Sequence, residues 1–370
     1  MPKWYAVAAP GLEQVVAGEL ERAGVNGTIE PGGVAFEATI PEGAALAHRL
    51  RTPARLLLVV CEGRVGTPDE LVGLVRKGDW KSLVHPFATL DVSASAERSR
   101  LRFREAAEKK VSKAIAEAIK GPRVMDRERR PAIAQRVQLR IVDDQASLSI
   151  DAGGELLHVR GWRSEQGPAS IRENLAASLL CAAGWTPDEP LLDPFCGSGT
   201  ILIEAGLLAA GRSPFVGRAL ACDEWPGPPH KKGQKPPKAA PTAVGPRPSP
   251  RLHGADRDAR VLAAAASNAR RAKIELDLRR IDVADVEPPA TAGLLLTNPP
   301  YGVRLASEAQ ALHATWRAFG RTLADRFRGW RAGWLSPDPL LSRFAHPRAR
   351  RMLTFNNGGL KVGFWVVDEV

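Results

Sequence analysis

Apolar residues recur along the first 155 residues with two periods, one typical of helices and one typical of strands. The predicted elements are helices at 12–20 and 105–120, strands at 34–40 and 55–60, and two strands within 136–150 that meet at Asp143 and Asp144. In the helix at 105–120, apolar side chains share one face and lysines lie largely on the other. Helices and strands do not alternate regularly here, so the pattern predicts an α+β region.

From about Ser164 onward, strands and helices alternate along the chain. The predicted helices are at 169–184, 200–210 and 258–273, and the predicted strands are at 191–192, 252–256, 277–283 and 292–297. Such alternation is typical of a doubly wound parallel sheet and predicts an α/β domain. Near the end, apolar runs at 351–355 and 360–367 flank a turn through Asn357-Gly358, which predicts an antiparallel hairpin.

One segment interrupts this second domain. Residues 226–251 contain nine prolines, six Lys or Arg and no acidic residue. Such a composition cannot bury enough apolar surface to offset the entropy lost on ordering. We therefore expect a disordered or extended basic insertion. It is either a tolerated insertion, which we favour, or a contact to a nucleic-acid backbone.

Charge adds a possible role for the first region. The formal net charge is +11, and 14 Lys or Arg stand against 5 Asp or Glu between Arg98 and Arg140. A basic patch concentrated in one segment is typical of a nucleic-acid surface, although a solvated helix face gives the same count. The candidate phosphate contacts are Arg100, Arg102, Arg104, Lys109, Lys110 and Lys113.

The composition also excludes several classes of protein. The 370 residues are 44% hydrophobic and 25% charged, which suits a globular chain of two or three domains. No apolar run approaches the roughly 20 residues of a membrane helix, and the first residues lack a signal-peptide pattern. The four cysteines form no Cys-x-x-Cys pair, so we expect no metal site, no disulfides and a cytoplasmic location.

A glycine-rich turn follows the predicted strand at 191–192. Glycines allow the backbone to approach a ligand, and the helix that follows offers free N–H groups. Asp193 would repel a phosphate and no P-loop lysine follows, whereas a carboxylate suits the ammonium and sulfonium of S-adenosylmethionine. The candidate cofactor residues of this segment are Asp193, Phe195, Gly197, Gly199 and Thr200.

Acidic residues also end the next two predicted strands. Asp256 is placed to accept hydrogen bonds from both ribose hydroxyls of the cofactor. Asp282 is a candidate acceptor for the adenine amine, a weak signal alone that gains weight from its place in the series. We interpret Asp258, two residues after Asp256, as the N-cap of a helix and not as a ligand.

The segment Asn298-Pro299-Pro300-Tyr301 directly follows the last of these strands. An exocyclic amine on an aromatic base is a poor nucleophile, because its lone pair is delocalised into the ring. The Asn298 side-chain oxygen and the Pro299 carbonyl could accept both amine hydrogens and direct that lone pair toward a methyl donor. Pro299 and Pro300 stiffen the turn, and Tyr301 could stack on a flipped base. Asn298 is therefore a candidate for both catalysis and cofactor binding.

Two other chemistries fit the same segments poorly. Methylation at carbon 5 of a pyrimidine needs a cysteine nucleophile, but Tyr301 follows the two prolines, and Cys196 sits in the glycine turn as a small packing residue. A nicotinamide-dependent oxidoreductase is disfavoured by the acidic Asp193 beside that turn. The residues therefore favour amine methylation without a covalent intermediate.

The four motifs together resemble the amino-methyltransferases of the class I Rossmann-like superfamily, which act on several kinds of amine. The flanking sequences, Leu157–Arg163 and Gly167–Ala176, look like the start of the guanine-N2 methyltransferases that carry a THUMP domain. That family usually has Tyr where this chain has Trp162. Ile203-Glu204-Ala205 and Asn357-Gly358 are also similar to it, and the resemblance covers most of residues 150–370.

This resemblance implies an architecture and a function. We expect a ferredoxin-like part at 1–60, a THUMP RNA-binding domain at 61–155 and a Rossmann-like methyltransferase domain at 160–370. The implied activity is S-adenosylmethionine-dependent methylation of guanine N2 in structured RNA, with 23S rRNA as the first choice. The alternatives are a tRNA guanine-N2 enzyme, an adenine-N6 enzyme acting on RNA or DNA, and a non-catalytic RNA-binding or ribosome-assembly factor.

Overall fold

Two seven-stranded sheets organise the described part of the chain in the computed structural model. The structure describes residues 1–101, 104–119, 133–164, 170–227, 251–301 and 306–370. Arg102, residues 165–169 and residues 228–250 of the predicted insertion therefore lie outside the described residues. In the part that is described, no helix has both the length and the apolar character required to cross a membrane.

The first sheet contains the strands of the N-terminal region that the structure describes. Its strands are β1 (Lys3–Val7), β2 (Gly27–Glu30), β3 (Gly33–Glu37), β4 (Arg55–Arg64), β5 (Leu90–Glu97), β6 (Gln135–Val142) and β7 (Gln145–Asp151). The spatial order is β2-β3-β1-β4-β7-β6-β5, and β5 and β6 form its parallel pair. The helices are α1 (Glu13–Arg22), α2 (Ile40–Ala47), α3 (Pro68–Val75), α4 (Trp80–Leu83) and α5 (Arg104–Ile119). The predicted α+β arrangement is confirmed.

Helix α5 confirms the amphipathic pattern at 105–120. Val111, Ala114, Ile115 and Ile119 are buried against the first sheet, whereas the lysines at 109, 110 and 113 are exposed. The predicted strand at 34–40 is wrong at its end, because β3 stops at Glu37. Thr39 accepts a hydrogen bond from the Glu42 amide, and the Glu42 carboxylate accepts one from the Thr39 amide. This capping box begins α2 at Ile40 and overrides the strand preference of the isoleucine.

The second sheet is doubly wound and ends in a hairpin, as predicted. Its strands are β8 (Leu191–Asp193), β9 (Leu252–Asp256), β10 (Asp277–Arg280), β11 (Leu294–Thr297), β12 (Arg331–Ser336), β13 (Arg350–Asn357) and β14 (Leu360–Val367). The order is β10-β9-β8-β11-β12-β14-β13, with the first five strands parallel and the last two antiparallel to their neighbours. The helices are α6 (Glu173–Ala182), α7 (Thr200–Ala209), α8 (Ala259–Ala272), α9 (Ala306–Arg326) and α10 (Pro339–Ala345). The hydrophobic pattern does not predict α9, β12 or α10.

Three predicted boundaries in this domain need correction. The strand predicted at 277–283 ends at Arg280, because the Asp282 carboxylate accepts a hydrogen bond from the Ala284 amide and begins a 3₁₀ helix at Val283–Asp285. The helix predicted at 169–184 begins at Glu173. The hairpin turn is Gly358-Gly359, both in the left-handed region with φ of +58° and +88°, and Asn357 is the last residue of β13.

Buried polar contacts join the two sheet regions. Arg51, which follows α2, donates a hydrogen bond to the Leu207 carbonyl of α7 at 3.0 Å. Arg160 donates to the Arg51 carbonyl at 2.5 Å, and both guanidinium groups face the carboxylate of Glu204 on α7. The Glu204 and Arg160 side chains are fully buried. Two cations from different segments thus share one buried anion at the domain boundary.

Candidate active site

A cavity of about 310 Å³ opens at the carboxyl edge of the second sheet. In an open parallel sheet, this edge is where ligands bind, beside the strand at which the order of connections reverses. Of the residues predicted to form the site, those lining the cavity are Asp193, Phe195, Gly197, Thr200, Asp256, Asp282, Asn298 and Pro300. Gly199, Pro299 and Tyr301 lie in the same loops but outside this lining. The structure therefore brings the four sequence motifs together.

The glycine turn runs from β8 into α7 in a conformation that suits its sequence. Gly197 and Gly199 have φ of +51° and +81°, in the left-handed region where glycine is favoured. The Cys196 amide donates to the Ala255 carbonyl at 3.0 Å, which ties the turn to the end of β9. Burial raises the pKa of the Cys196 thiol well above its usual range, as expected for a packing residue.

Asp193 ends β8 and is almost fully buried. Its Oδ1 atom accepts hydrogen bonds from the Thr297 hydroxyl at 2.5 Å and from the Phe195 amide at 3.1 Å. Burial raises the pKa of this carboxyl to about 7, since these two donors offset only part of its desolvation. A cation in the cavity would stabilise the ionised form, whereas an anion would be repelled.

Asp256 ends β9 and faces the glycine turn. Its Oδ2 atom accepts from the Gly197 amide at 3.2 Å, and its Oδ1 atom accepts from the Asp258 amide at 2.9 Å. These bonds hold the carboxylate at the wall of the cavity, where its remaining lone pairs can accept ligand hydroxyls. Asp258 caps α8 by accepting from the Arg260 amide, which confirms its predicted structural role, although it too lines the cavity.

The charge of the cavity is mostly negative. Four aspartates, at 193, 256, 258 and 282, line it, against Arg257 as the cation among the described lining residues. A pocket lined by one sign of charge concentrates ligands of the other sign. These carboxylates fit the cationic methionine end and the ribose of S-adenosylmethionine better than a phosphate-rich nucleotide.

The Asn298–Tyr301 turn leaves β11 beside this cavity. Asn298 is half-buried at the cavity wall, Pro299 is buried and Pro300 is exposed. The indole N–H of Trp316 on α9 donates to the Pro300 carbonyl at 3.0 Å and fixes the end of the turn. Tyr301 is half-buried, and its hydroxyl accepts from the Asn357 side-chain amide at 2.7 Å. Burial raises the pKa of the Tyr301 phenol, so the group stays neutral near pH 7.

Sequence reasoning missed two side chains that brace the glycine turn from outside. The Arg163 guanidinium donates to the Thr200 hydroxyl at 2.7 Å and pairs with Glu173 at 2.9 Å. Asn268, which is fully buried on α8, donates to the Ser198 carbonyl at 3.3 Å and accepts from the Ser164 amide at 3.1 Å. Arg163 belongs to the Arg-Gly-Trp-Arg segment, which was a signal for its importance, whereas nothing in the sequence pointed to Asn268.

The candidate RNA contacts that the structure describes, all except Arg102, lie on the first domain, at α5 and in the loop before it. Arg100 pairs with Asp144 at 2.8 Å and Arg104 with Glu108 at 2.9 Å, and both arginines remain largely exposed. The three exposed lysines of α5, at 109, 110 and 113, have no ion-pair partner among the described residues. Ion pairs at the surface are weak, so both arginines stay available to phosphate.

One group of metal-ligating residue types lies away from the cavity. His48, Cys222 and Asp223 place their ligand atoms within 4.8 Å of one another. His48 Nε2 and Asp223 Oδ1 are hydrogen-bonded at 2.7 Å, and burial raises the pKa of the Cys222 thiol, which opposes the thiolate that a metal needs. The arrangement is explained by this hydrogen bond.

Two family models match the chain. The model of the RMKL-like methyltransferase domain covers residues 160–363, and the model of the RlmL ferredoxin-like domain covers residues 3–57. The predicted Rossmann-like methyltransferase fold and the ferredoxin-like N-terminal part are thus confirmed. A separate THUMP domain over 61–155 stays a prediction.

Two relatives show how much of a known protein the chain represents. The ribosomal RNA large subunit methyltransferase K/L of Methylococcus capsulatus is 35% identical over 99% of this chain and 51% of its own length. A Synechocystis protein named "Putative RNA methyltransferase" is 32% identical over 96% of this chain and 94% of its own length. The chain thus spans about half of the first relative and nearly all of the second.

Solved structures with the same fold cover both domains. A methyltransferase complexed with S-adenosylhomocysteine, described as putative, has a TM-score of 0.83 and 27% identity, over 100% of this chain and 98% of that chain. A Listeria monocytogenes protein described as a "predicted N6-adenine-specific DNA methylase" has a TM-score of 0.81 and 28% identity, over 98% and 95%.

Proposed function

Because this chain belongs to the family of RMKL-like methyltransferase domains, we propose that it methylates the exocyclic N2 of a guanine in RNA, with S-adenosylmethionine as the methyl donor. The observation that carries the proposal is the position of Asn298 at the wall of a cavity lined by acidic strand ends. The proposed binding site for the methyl donor therefore lies next to the proposed acceptor of the amine hydrogens. The RNA substrate is supported by the basic segment and by the names of the two relatives.

The acidic residues divide the work of holding the donor. Asp193 faces the cationic methionine end, and its ionisation is favoured by the positive charge. Asp256, held by the Gly197 amide, accepts hydrogen bonds from the ribose hydroxyls. Asp282 accepts a hydrogen bond from the adenine amine and, at the same time, caps the 3₁₀ helix at Val283–Asp285. Gly197, Gly199 and Thr200 shape the turn, and Phe195 packs edge-on against Phe319 with ring centroids 5.6 Å apart.

The Asn298 turn acts on the base. The Asn298 side-chain oxygen and the Pro299 carbonyl accept the two N–H hydrogens of the guanine amine and localise its lone pair. The bound donor supplies an electrophilic methyl group. A bond forms between N2 and the methyl carbon as the carbon–sulfur bond breaks, and the N2 proton then leaves to solvent. Tyr301 stacks on the flipped guanine. No covalent enzyme intermediate forms.

RNA placement depends on the first domain in this proposal. The α5 lysines at 109, 110 and 113, with Arg100, Arg102 and Arg104, contact phosphates without reading sequence. We assign residues 1–60 to the ferredoxin-like part, 61–155 to a THUMP RNA-binding domain and 160–370 to the methyltransferase domain. The first-choice substrate is 23S rRNA, in keeping with the name of the Methylococcus relative.

A nucleoside census tests the proposal. The 23S rRNA, 16S rRNA and tRNA are separated from cells with and without the gene, digested, and analysed by mass spectrometry. Loss of N2-methylguanosine from 23S rRNA without the gene, restored by the wild-type gene but not by Asn298→Ala, is the expected result. Loss from tRNA would move the substrate to tRNA.

One observation favours a second candidate, methylation of adenine N6. The hydrogen-bond acceptors proposed in the Asn298 turn suit an exocyclic amine of either purine, and the Listeria structure with 28% identity carries an adenine-N6 description. A change only in N6-methyladenosine in the same census would establish this rival. No change in any nucleoside would contradict both, and would favour the non-catalytic role.

A further inference from the structure

The hairpin of β13 and β14 projects beyond the carboxyl edge of the second sheet. Ser336, the last residue of β12, faces Gly363 of β14, so residues 360–362 continue past the end of β12. Phe355, Asn356 and Asn357 of β13 pair with this overhang. Three residues at about 3.3 Å each make it about 10 Å long. The tip therefore stands on the edge where Asn298 leaves β11.

Tyr301 connects the Asn298 turn to this overhang. Its ring packs against two core clusters, one containing Phe355 and Val362 of the hairpin and the other containing Trp316 of α9. Its hydroxyl accepts a hydrogen bond from the Asn357 amide at 2.7 Å. The bond joins residues 56 positions apart. It ties the outer end of the ring to the hairpin tip.

The turn itself does not require Asn at position 357. A type I′ hairpin turn needs positive φ at both of its central residues, and these are Gly358 and Gly359. Asn357 precedes them as the last residue of β13 and lies opposite Leu360. Its φ is negative, as in an ordinary strand. Its side chain is therefore free of a turn-forming role and is explained by its contact with Tyr301.

The first domain also contacts the hairpin at Thr354, where the overhang begins. A Cβ on Gly11 of the first domain would lie 1.9 Å from the Thr354 carbonyl oxygen, so the two backbones are in close contact. Gly11 has a φ of +96°, which glycine adopts without strain. Asn357 thus extends from a strand held by both domains, which gives its side chain a defined position.

We propose that Asn357 is a positioning residue for the target base, acting through its hydrogen bond to the Tyr301 hydroxyl. The bond holds the hydroxyl end of the Tyr301 ring and restricts rotation about χ1. The ring therefore keeps one orientation beside Asn298, where it would contact a flipped base. The proposal rests on the function proposed above and deepens it. A half-buried phenol hydroxyl also needs a partner, and Asn357 supplies it.

The kinetic test compares Asn357→Ala with Asn356→Ala, a matched change at the exposed neighbour on the same strand. Methyl transfer to RNA is measured at saturating S-adenosylmethionine, and donor binding is measured by calorimetry. A small misplacement at a reacting centre costs up to about a hundredfold, so Asn357→Ala should lower kcat about ten- to a hundredfold. The donor Kd should be unchanged, and Asn356→Ala should stay within about twofold of wild type.

Two further variants separate positioning from loss of structure. Tyr301→Phe removes the same hydrogen bond from the other side, so it should lower kcat similarly, and the double variant should be no worse than either single one. Asn357→Asp should restore part of the rate, because its carboxylate can accept from the phenol. Additive losses, or no rescue, would contradict action through Tyr301.

A spectroscopic measurement tests the contact without turnover. The chain has two tyrosines, Tyr5 and Tyr301, so protein labelled with ¹³C at the tyrosine Cζ gives two assignable signals. The Tyr301 signal should shift in Asn357→Ala and stay in place in Asn356→Ala. An unshifted signal, or wild-type kcat in Asn357→Ala, would overturn the inference while leaving the proposed function intact. Wild-type protein that methylates no RNA would overturn both.

Discussion

The buried charge cluster at the domain boundary leads to a quantitative prediction for Glu204→Gln. Glu204 Oε1 lies 3.2 Å from Arg160 Nε, and its Oε2 lies 3.7 Å from Arg51 Nη1. The Glu204 and Arg160 side chains are fully buried, and Arg51 is nearly so. Glutamine keeps the shape of the side chain but removes its charge, which leaves two buried guanidinium groups without their counterion.

The cost of that change follows from burial. Removing one partner of a buried ion pair typically costs about 3–5 kcal/mol, because the remaining charge is desolvated and uncompensated. The Arg51 and Arg160 bonds to backbone carbonyls offset part of this. We therefore expect a loss of about 3 kcal/mol in the free energy of unfolding. With a urea slope of about 3 kcal/mol per M, the midpoint should fall by about 1 M.

The matched control is Glu287→Gln, at a surface pair. Glu287 lies 2.9 Å from Arg326, but its side chain is 67% exposed. Exposed pairs contribute about 0.2–1 kcal/mol, so this control should move the midpoint little. Urea unfolding followed by tryptophan fluorescence measures both variants. Equal midpoints for the two variants would refute the argument that burial decides the magnitude.

Three further predictions concern the site and the RNA surface. Asn298→Ala should abolish methyl transfer while donor binding, measured by calorimetry, stays near normal; retained turnover would refute its role. The raised pKa of Asp193, about 7, means that the free native state holds an extra proton between about pH 4 and 7, so this carboxyl lowers stability as pH rises through that window. A cationic donor lowers that pKa, so binding at pH 6.5 should release a proton, seen as a binding enthalpy that varies with the ionisation enthalpy of the buffer; a constant enthalpy would contradict this. A triple alanine variant of Arg100, Arg102 and Arg104 should reduce the slope of log affinity against log salt by about two to three; an unchanged slope would exclude phosphate contacts there.

Local sequence was sufficient for the loops that form the site. A glycine turn, an acidic residue at a strand end and an Asn-Pro-Pro segment are each written in a few consecutive residues, because backbone conformation depends mainly on near neighbours. The alternation of strands and helices then predicts a parallel sheet, whose carboxyl edge collects those loops. The cavity lined by Asp193, Asp256, Asp282 and Asn298 follows from this logic.

Only the tertiary structure decided how distant residues act on one another. The burial of Asp193, and with it a pKa of about 7, depends on Thr297 and on packing that its neighbours in sequence do not reveal. The Asn357–Tyr301 bond depends on how far the hairpin extends past β12, and the register between β12 and β14 sets that distance. The charge cluster around Glu204 requires two domains to meet, and the free energy of such contacts depends on burial and distance, which are properties of the folded chain.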